Sequence, residues 1–335
     1  MRLNKNIKII INYFLGPAIF LALCFAIYRQ MAAQQNWRES IRIIKKSLGS
    51  ASQWKLWLVL LLMVVNWILE ARKWKFCNQQ FQAIPMSRAI QAVLAGIAVA
   101  SFTPNRIGEY FGRILFVPEG NRVKTISLTI VGSIAQFLVT IFFGGLGILY
   151  LDWWLRNNAV QGHPILHLSL NILLAAAILT LFILGILYFR LSWLVRWIDR
   201  WDRLGKFINY VKVVKELPLS ALFWILVLSF IRYLVFIIQY GLLFSLFGVV
   251  LNVLQLFAGI AVMFLIMAII PTISFLTDLG IRWEASIQIM ELFSANTIGI
   301  FTASFGIWTI NLILPALIGS LLILRIKIFS LDEDH

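Results

Sequence analysis

Hydrophobic positions run along this chain in long unbroken blocks separated by short polar clusters. The blocks fall at residues 9–28, 54–71, 125–150, 169–189, 219–247, 251–270, 286–306 and 308–324. A helix that crosses the roughly 30 Å hydrocarbon core needs about 20 such residues. The blocks are continuous, without the in-out alternation of barrel strands, so each satisfies its backbone hydrogen bonds as a helix. The pattern predicts an all-α, polytopic transmembrane helical bundle. It has about seven to nine hydrophobic segments, two of them broken or re-entrant.

The two exceptional segments carry the polar chemistry. Residues 89–103 form a short stretch rich in Ala and Gly that stops at Pro104. Residues 251–270 stop at Pro271, and Thr277, Asp278, Gly280, Arg282 and Glu284 follow before hydrophobicity resumes. Two interrupted segments in corresponding halves point to a central binding site in transporters. Between the first two blocks, Trp37, Ile41, Ile44 and Leu48 recur at helical spacing, with Arg38, Arg42, Lys45 and Lys46 elsewhere around the turn. That predicts an amphipathic interfacial helix within residues 29–53. The expected organisation is one integral membrane domain, 1–335. It comprises a first span in 1–28, broken regions at 89–118 and 251–285, and a basic cytoplasmic loop at 190–218.

Composition excludes a soluble fold, since 61% of the 335 residues are hydrophobic and 13% charged, against about 45–50% apolar in soluble domains. The formal net charge of +15 is spread beside apolar blocks instead of forming a basic domain, so nucleic acid is not an expected partner. It sets topology instead. Residues 190–218 hold Arg190, Arg196, Arg200, Arg203, Lys206, Lys212 and Lys215, whereas residues 151–168 hold one Arg and no Lys, which puts the first in the cytoplasm and the second outside. Counting every block as a full crossing contradicts that assignment; making 89–118 a re-entrant hairpin restores it. The other reading is that these loops do not follow the charge bias. Arg2, Lys5 and Lys8 precede the first block, and Leu23 is too large for a lipoprotein cleavage site at Cys24, so the block reads as a retained span with a cytoplasmic N-terminus.

The sequence from Thr103 to Arg113 places Thr103 as a helix cap and Pro104 at the first position of a half-helix. Arg106, Glu109 and Arg113 then share one face at i,i+3 and i,i+4 spacing, with a positive remainder. Guanidinium groups bind phosphate bidentately, so Arg106, Arg113 and Arg282 are the candidate head-group contacts. Pro104, Asn105, Gly108, Glu109, Gly112, Asp278, Gly280 and Glu284 are candidates for shaping the site. Gly108 and Gly112 would admit a neighbouring helix or a lipid head. A surface loop with hydrated charges explains the same residues. Asp278 and Arg282 are i,i+4 partners, and cross-half pairs of Arg282 with Glu109 and Glu284 with Arg106 are conceivable. Glu70, followed by Arg72 and Lys73, reads as a local structural pair. His163 and His167 are separated by Pro164 and lack a third ligand, so no metal is expected. Cys24 and Cys77 have no partner spacing. No nucleophile set or nucleotide loop is visible, and no cofactor or enzymatic activity is expected.

Three stretches carry a resemblance: Ala95-Gly96 through Thr103-Pro104-Asn105-Arg106-Ile107-Gly108-Glu109-Tyr110 to Arg113, Glu70-Ala71-Arg72-Lys73-Trp74, and Gly280-Ile281-Arg282-Trp283-Glu284-Ala285. Together they resemble the lysylphosphatidylglycerol synthase transmembrane family, the flippase-like membrane domain of multiple peptide resistance factors. The resemblance implies a helical bundle with re-entrant segments that binds or translocates lipid. Members often carry a Pro-Gly-Gly-like turn before the Gly-x-Arg-x-Glu element, where this chain has Leu276-Thr277-Asp278. No soluble aminoacyl-transferase domain is expected in this polypeptide. The leading expectation is a flippase or lipid-binding permease of the cell inner membrane acting on an anionic phospholipid or polyprenyl-phosphate-linked lipid. Two alternatives are a membrane enzyme using Glu109 or Asp278 as general base, and an accessory scaffold of an envelope-lipid synthesis complex. A homo-oligomer or an envelope-synthesis partner is compatible with each.

Overall fold

The computed structural model describes residues 37–79, 81–158, 164–190, 213–214, 216–271 and 275–324, with positions 21, 22 and 25. Most of the expected first span and most of the basic loop 190–218 lie outside these residues. All elements among the described residues are helical. They are α1 (Trp37–Leu48), α2 (Trp54–Asn78), α3 (Met86–Ala100), α4 (Gly108–Ile114), α5 (Arg122–Asn157), α6 (Pro164–Phe189), α7 (Leu219–Leu246), α8 (Val253–Ile269), α9 (Phe275–Met290), α10 (Thr297–Trp308) and α11 (Leu314–Leu324). A π turn, Thr309–Ile313, joins α10 to α11, and Thr297–Ile323 is one continuous membrane-length run. Among the described residues, five such runs are long and apolar enough to cross a membrane.

Local chemistry sets the boundaries. Pro85 and Pro218 stand in extended conformation directly before α3 and α7, where a missing N–H removes no helical hydrogen bond. Asn252 and Gln255 form a reciprocal capping box at α8. Asn296 accepts from the Gly299 N–H at 2.9 Å and donates to the Phe247 carbonyl at 3.1 Å, which starts α10 beside the end of α7. The expected span 286–306 is therefore corrected: its first residues finish α9, and a break precedes Asn296. The run reads as continuous because most of 286–306 is apolar, but Glu291, Ser294 and Asn296 interrupt it at the break, where Glu291 and Leu292 are exposed.

Helix order produces two hairpins rooted at opposite ends of the bundle. The chain leaves α2 and enters α3 at the end that carries Arg72, Lys75, Arg88, Arg122 and Lys124. It then returns along α4 to the start of α5 at that same end. Trp74 Nε1 donates to Thr129 Oγ1 at 3.0 Å, fixing the start of α5 beside the end of α2. α8 starts at the other end, runs antiparallel to α5 with Gly147 against Ala258 and Gly144 against Leu265, and α9 returns so that Met290 reaches Gly259. At 17 residues and about 1.5 Å per residue, α8 stops short of a full crossing.

An aromatic cluster ties the middle together: Phe143 of α5 stacks on Tyr233 of α7 at 5.0 Å, and Phe264 of α8 meets both Tyr233 and Tyr240 edge-on. α6 packs mainly on α5 and turns Leu168, Ile172 and Phe182 outward, as a bilayer-facing surface requires. On α1, buried Ser40 meets Thr302 of α10 at 3.1 Å between hydroxyl oxygens, so this amphipathic helix lies against the bundle. A Cβ at Gly144 would stand 2.7 Å from the Leu265 Cβ, whereas one at Gly185 meets nothing within 4 Å. Gly144→Val is expected to cost about 1–3 kcal/mol in thermal unfolding of the detergent-solubilised protein. Gly185→Val should leave the transition unchanged, and equal behaviour of the two variants would refute the tight α5–α8 contact.

Candidate functional site

One face of α2 departs from the lipid-facing pattern. Asn66, Glu70 and Lys73 follow one another at i,i+4 and i,i+7, and all three are buried, while Trp57, Leu61, Val64 and Ile68 on other faces are exposed. Three polar residues at that spacing line one stripe, and buried charge requires partners. Glu70 supplies the centre. Its Oε1 accepts from Arg113 Nη2 of α4 at 2.8 Å, and its Oε2 accepts from Lys73 Nζ at 2.8 Å and Arg232 Nη1 of α7 at 2.7 Å. Arg232 also donates through Nε to Asn66 Oδ1 at 2.5 Å. One carboxylate thus holds three cations from three helices. Arg113 pairs with Glu109 as well, and Arg106 Nε stands 3.8 Å from the other Glu109 oxygen, too long for a hydrogen bond.

The tip of the first hairpin differs from the half-helix expected to begin at Pro104. Residues Pro104–Arg106 form a 3₁₀ turn, Asn105 and Arg106 both have positive φ (50° and 59°), and α4 begins only at Gly108. Thr103 Oγ1 accepts from the Gly108 N–H at 2.7 Å, so its hydroxyl serves a helix start five residues away. Two successive left-handed residues reverse the chain tightly enough to lay α4 back on α3. Gly108 and Gly112 permit this: a Cβ on Gly108 would lie 2.5 Å from the Val99 carbonyl, and one on Gly112 2.5 Å from that of Ala95. What approaches these glycines is therefore helix α3.

The second hairpin contributes Asp278 and Arg282 of α9. Arg282 Nη2 lies 3.2 Å from Asp278 Oδ2, and Arg282 Nη1 donates to the Tyr240 hydroxyl at 3.2 Å. Among the described residues, neither conceivable cross-half pair is formed. Both sets border a single cavity of about 380 Å³, whose walls include Ile97, Arg106 and Glu109 of the first hairpin and Met267, Ala268, Asp278 and Arg282 of the second. Asn66, Glu70, Lys73, Gln136, Tyr233, Arg232 and Asn311 are among its other polar residues.

Of the residues singled out from sequence, Arg106, Glu109, Arg113, Asp278 and Arg282 line this cavity. Pro104 and Asn105 form the exposed turn beside it. Gly280 has nothing near its Cβ position, and Glu284 is exposed, accepting from Gln288 at 2.8 Å. Glu70 does pair locally with Lys73, but its larger part is the bridge to α4 and α7. Sequence reasoning missed Arg232, although the signal was present: it is the one charged residue within 219–247, near the middle of a membrane-length helix, where an ionisable group marks a functional site by default. At the far end, His167 Nδ1 lies 2.7 Å from Asp152, which also pairs with Arg156. Among the described residues no three metal-ligating side chains cluster.

The sequence profile described as lysylphosphatidylglycerol synthase TM region matches residues 13–319, a stretch containing both hairpins and every cavity-lining residue. The chain belongs to that family. It is accordingly a membrane protein of a lipid-related family. No curated protein and no solved structure matches it at a significant level. Chemically, the site of this family member is a set of guanidinium groups poised around carboxylates. Both acids considered as general bases, Glu109 and Asp278, are held in ion pairs with arginine. The arrangement is suited to exchanging one anion for another.

Proposed function

We propose that the protein moves a membrane lipid across the bilayer by passing its anionic head group through the cavity between the two hairpins. Its carrying observation is the convergence of two broken hairpins, rooted at opposite ends, on one charged cavity. Such discontinuous helices meeting near the midplane are the architecture of alternating-access sites, and non-helical backbone at membrane depth is tolerated where it lines a polar cavity. On this reading both hairpins are re-entrant, and Arg106, Arg113 and Arg282 contact the head group. Arg232 joins them, and Glu109 and Asp278 hold the cations in place before a lipid arrives. The basic end of the bundle faces the cytoplasm of a cell whose inner membrane holds the protein. A first span in 1–28 then starts from a cytoplasmic N-terminus.

The test is head-group movement in vesicles reconstituted with the full chain, using a fluorescent lipid and an external quencher. Arg106→Ala and Arg282→Ala should each lower the rate about tenfold or more, the scale of one lost charge-assisted contact. Wild-type vesicles no faster than protein-free ones, or variants as fast as wild type, would remove the assignment.

A further inference from the structure

We infer that the cavity is matched to a head group bearing two negative charges, a phosphomonoester or a diphosphate, in preference to the single charge of a phosphodiester. This rests on reading the cavity as a head-group site. Its walls carry five cations, Lys73, Arg106, Arg113, Arg232 and Arg282, against three carboxylates, Glu70, Glu109 and Asp278. Two positive charges are left over. Uncompensated charge within the hydrocarbon region is costly, and the carboxylates cannot supply the balance. Glu70 is already shared among three cations, and Glu109 between Arg113 and the distant Arg106.

The unused hydrogen-bonding capacity points the same way. Asn66, Arg113 and Tyr233 are 2%, 2% and 1% exposed and line the cavity. Asn66 Nδ2, Arg113 Nε and the Tyr233 hydroxyl have no partner among the described residues. Buried donors without acceptors are costly, and these await oxygen atoms. A terminal phosphate offers three equivalent oxygens and a charge of about −1.5 to −2 at pH 7; a phosphodiester offers two oxygens and one charge. The unfilled amide oxygens of Gln136 and Asn311 accept from water carried in with the head group. Arg106 is the adaptable element, with its side chain 45% exposed and only a long pair to Glu109. A second negative charge is what would draw it in.

Binding by the purified full-length protein tests this. The probes are dioleoyl phosphatidic acid, farnesyl diphosphate, dioleoyl phosphatidylglycerol and inorganic phosphate, titrated in detergent and read by native mass spectrometry and competition. Phosphatidic acid and farnesyl diphosphate should bind about tenfold or more tighter than phosphatidylglycerol. Inorganic phosphate should compete only weakly, which separates a lipid head group from the free ion. Arg106→Gln removes one positive charge from an exposed turn, and size-exclusion chromatography checks that it folds. It should weaken phosphatidic acid and farnesyl diphosphate more than phosphatidylglycerol, and so erase most of that preference. Equal or tighter binding of phosphatidylglycerol, weakened by Arg106→Gln, overturns the charge match but leaves the head-group site standing. Binding of no probe, or binding indifferent to Arg106→Gln, overturns both.

Discussion

Glu70→Ala is expected to destabilise the protein more than any other single substitution in the cavity, by about 3–5 kcal/mol or more, the cost of leaving a buried charge without its partner. Three cations lose their shared acceptor at once: Lys73, Arg113 and Arg232, at 2.8, 2.8 and 2.7 Å. Lys73 and Arg113 are almost fully buried, so neither can turn to water without moving a helix. Thermal unfolding in detergent, followed by loss of the monodisperse peak, gives the measurement. Adding Lys73→Met to Glu70→Ala removes one orphaned charge and should restore part of the loss, a non-additivity expected of groups in one network. An unfolding temperature for Glu70→Ala equal to that of wild type would show that water already solvates the cluster.

Gly112→Val should have the second-largest effect, because it wedges the first hairpin open. The added Cβ would meet the Ala95 carbonyl oxygen at 2.5 Å and the Gly96 Cα at 2.6 Å. Both are backbone atoms, so no side-chain rotation relieves the clash. The expected loss exceeds the roughly 1–3 kcal/mol of an ordinary overpacked core. It also displaces Arg113, the next residue, from Glu70, so lipid movement in reconstituted vesicles should fall together with the unfolding temperature. Gly120→Val, where the new Cβ meets nothing within 4 Å, is the control. Retention of wild-type stability and activity by Gly112→Val would contradict the close packing of α3 on α4.

Much of the fold was legible because a bilayer imposes simple length and hydropathy demands. The blocks at 54–71, 125–150, 169–189 and 219–247 each became part of a helix long enough to cross. What stayed hidden depended on contacts between distant segments. The break before Asn296 combines a local cap, Asn296 accepting from Gly299, with a hydrogen bond to Phe247 that comes from a distant helix. The delayed start of α4 follows from left-handed Asn105 and Arg106, where a Pro after a Thr predicted an immediate helix. For the site, helical spacing correctly joined Glu109 to Arg113 through i,i+4, but it could not reach Glu70 or Arg232, which come from other helices. Conversely, Glu284 was expected to shape the site beside Arg282, yet two residues is more than half a turn, and it is exposed and does not line the cavity. Arg232 was legible in principle and needed no structure, only the cost of an arginine in a 28-residue apolar helix.

The opposed rooting of the two hairpins has a mechanical consequence. Each has both arms attached at one end of the bundle, and Arg106 of the first and Arg282 of the second border the cavity. Displacing one about its root would not drag the chain at the far end, but it would have to work against the Glu70 bridge for the first hairpin and the α5–α8 contact for the second. α2, α5, α7 and the α10–α11 run can then stand as a fixed frame, while Arg106 on one hairpin and Arg282 on the other travel by different amounts. Those two restraints, together with stiffness at the two roots, would set how far each arginine moves.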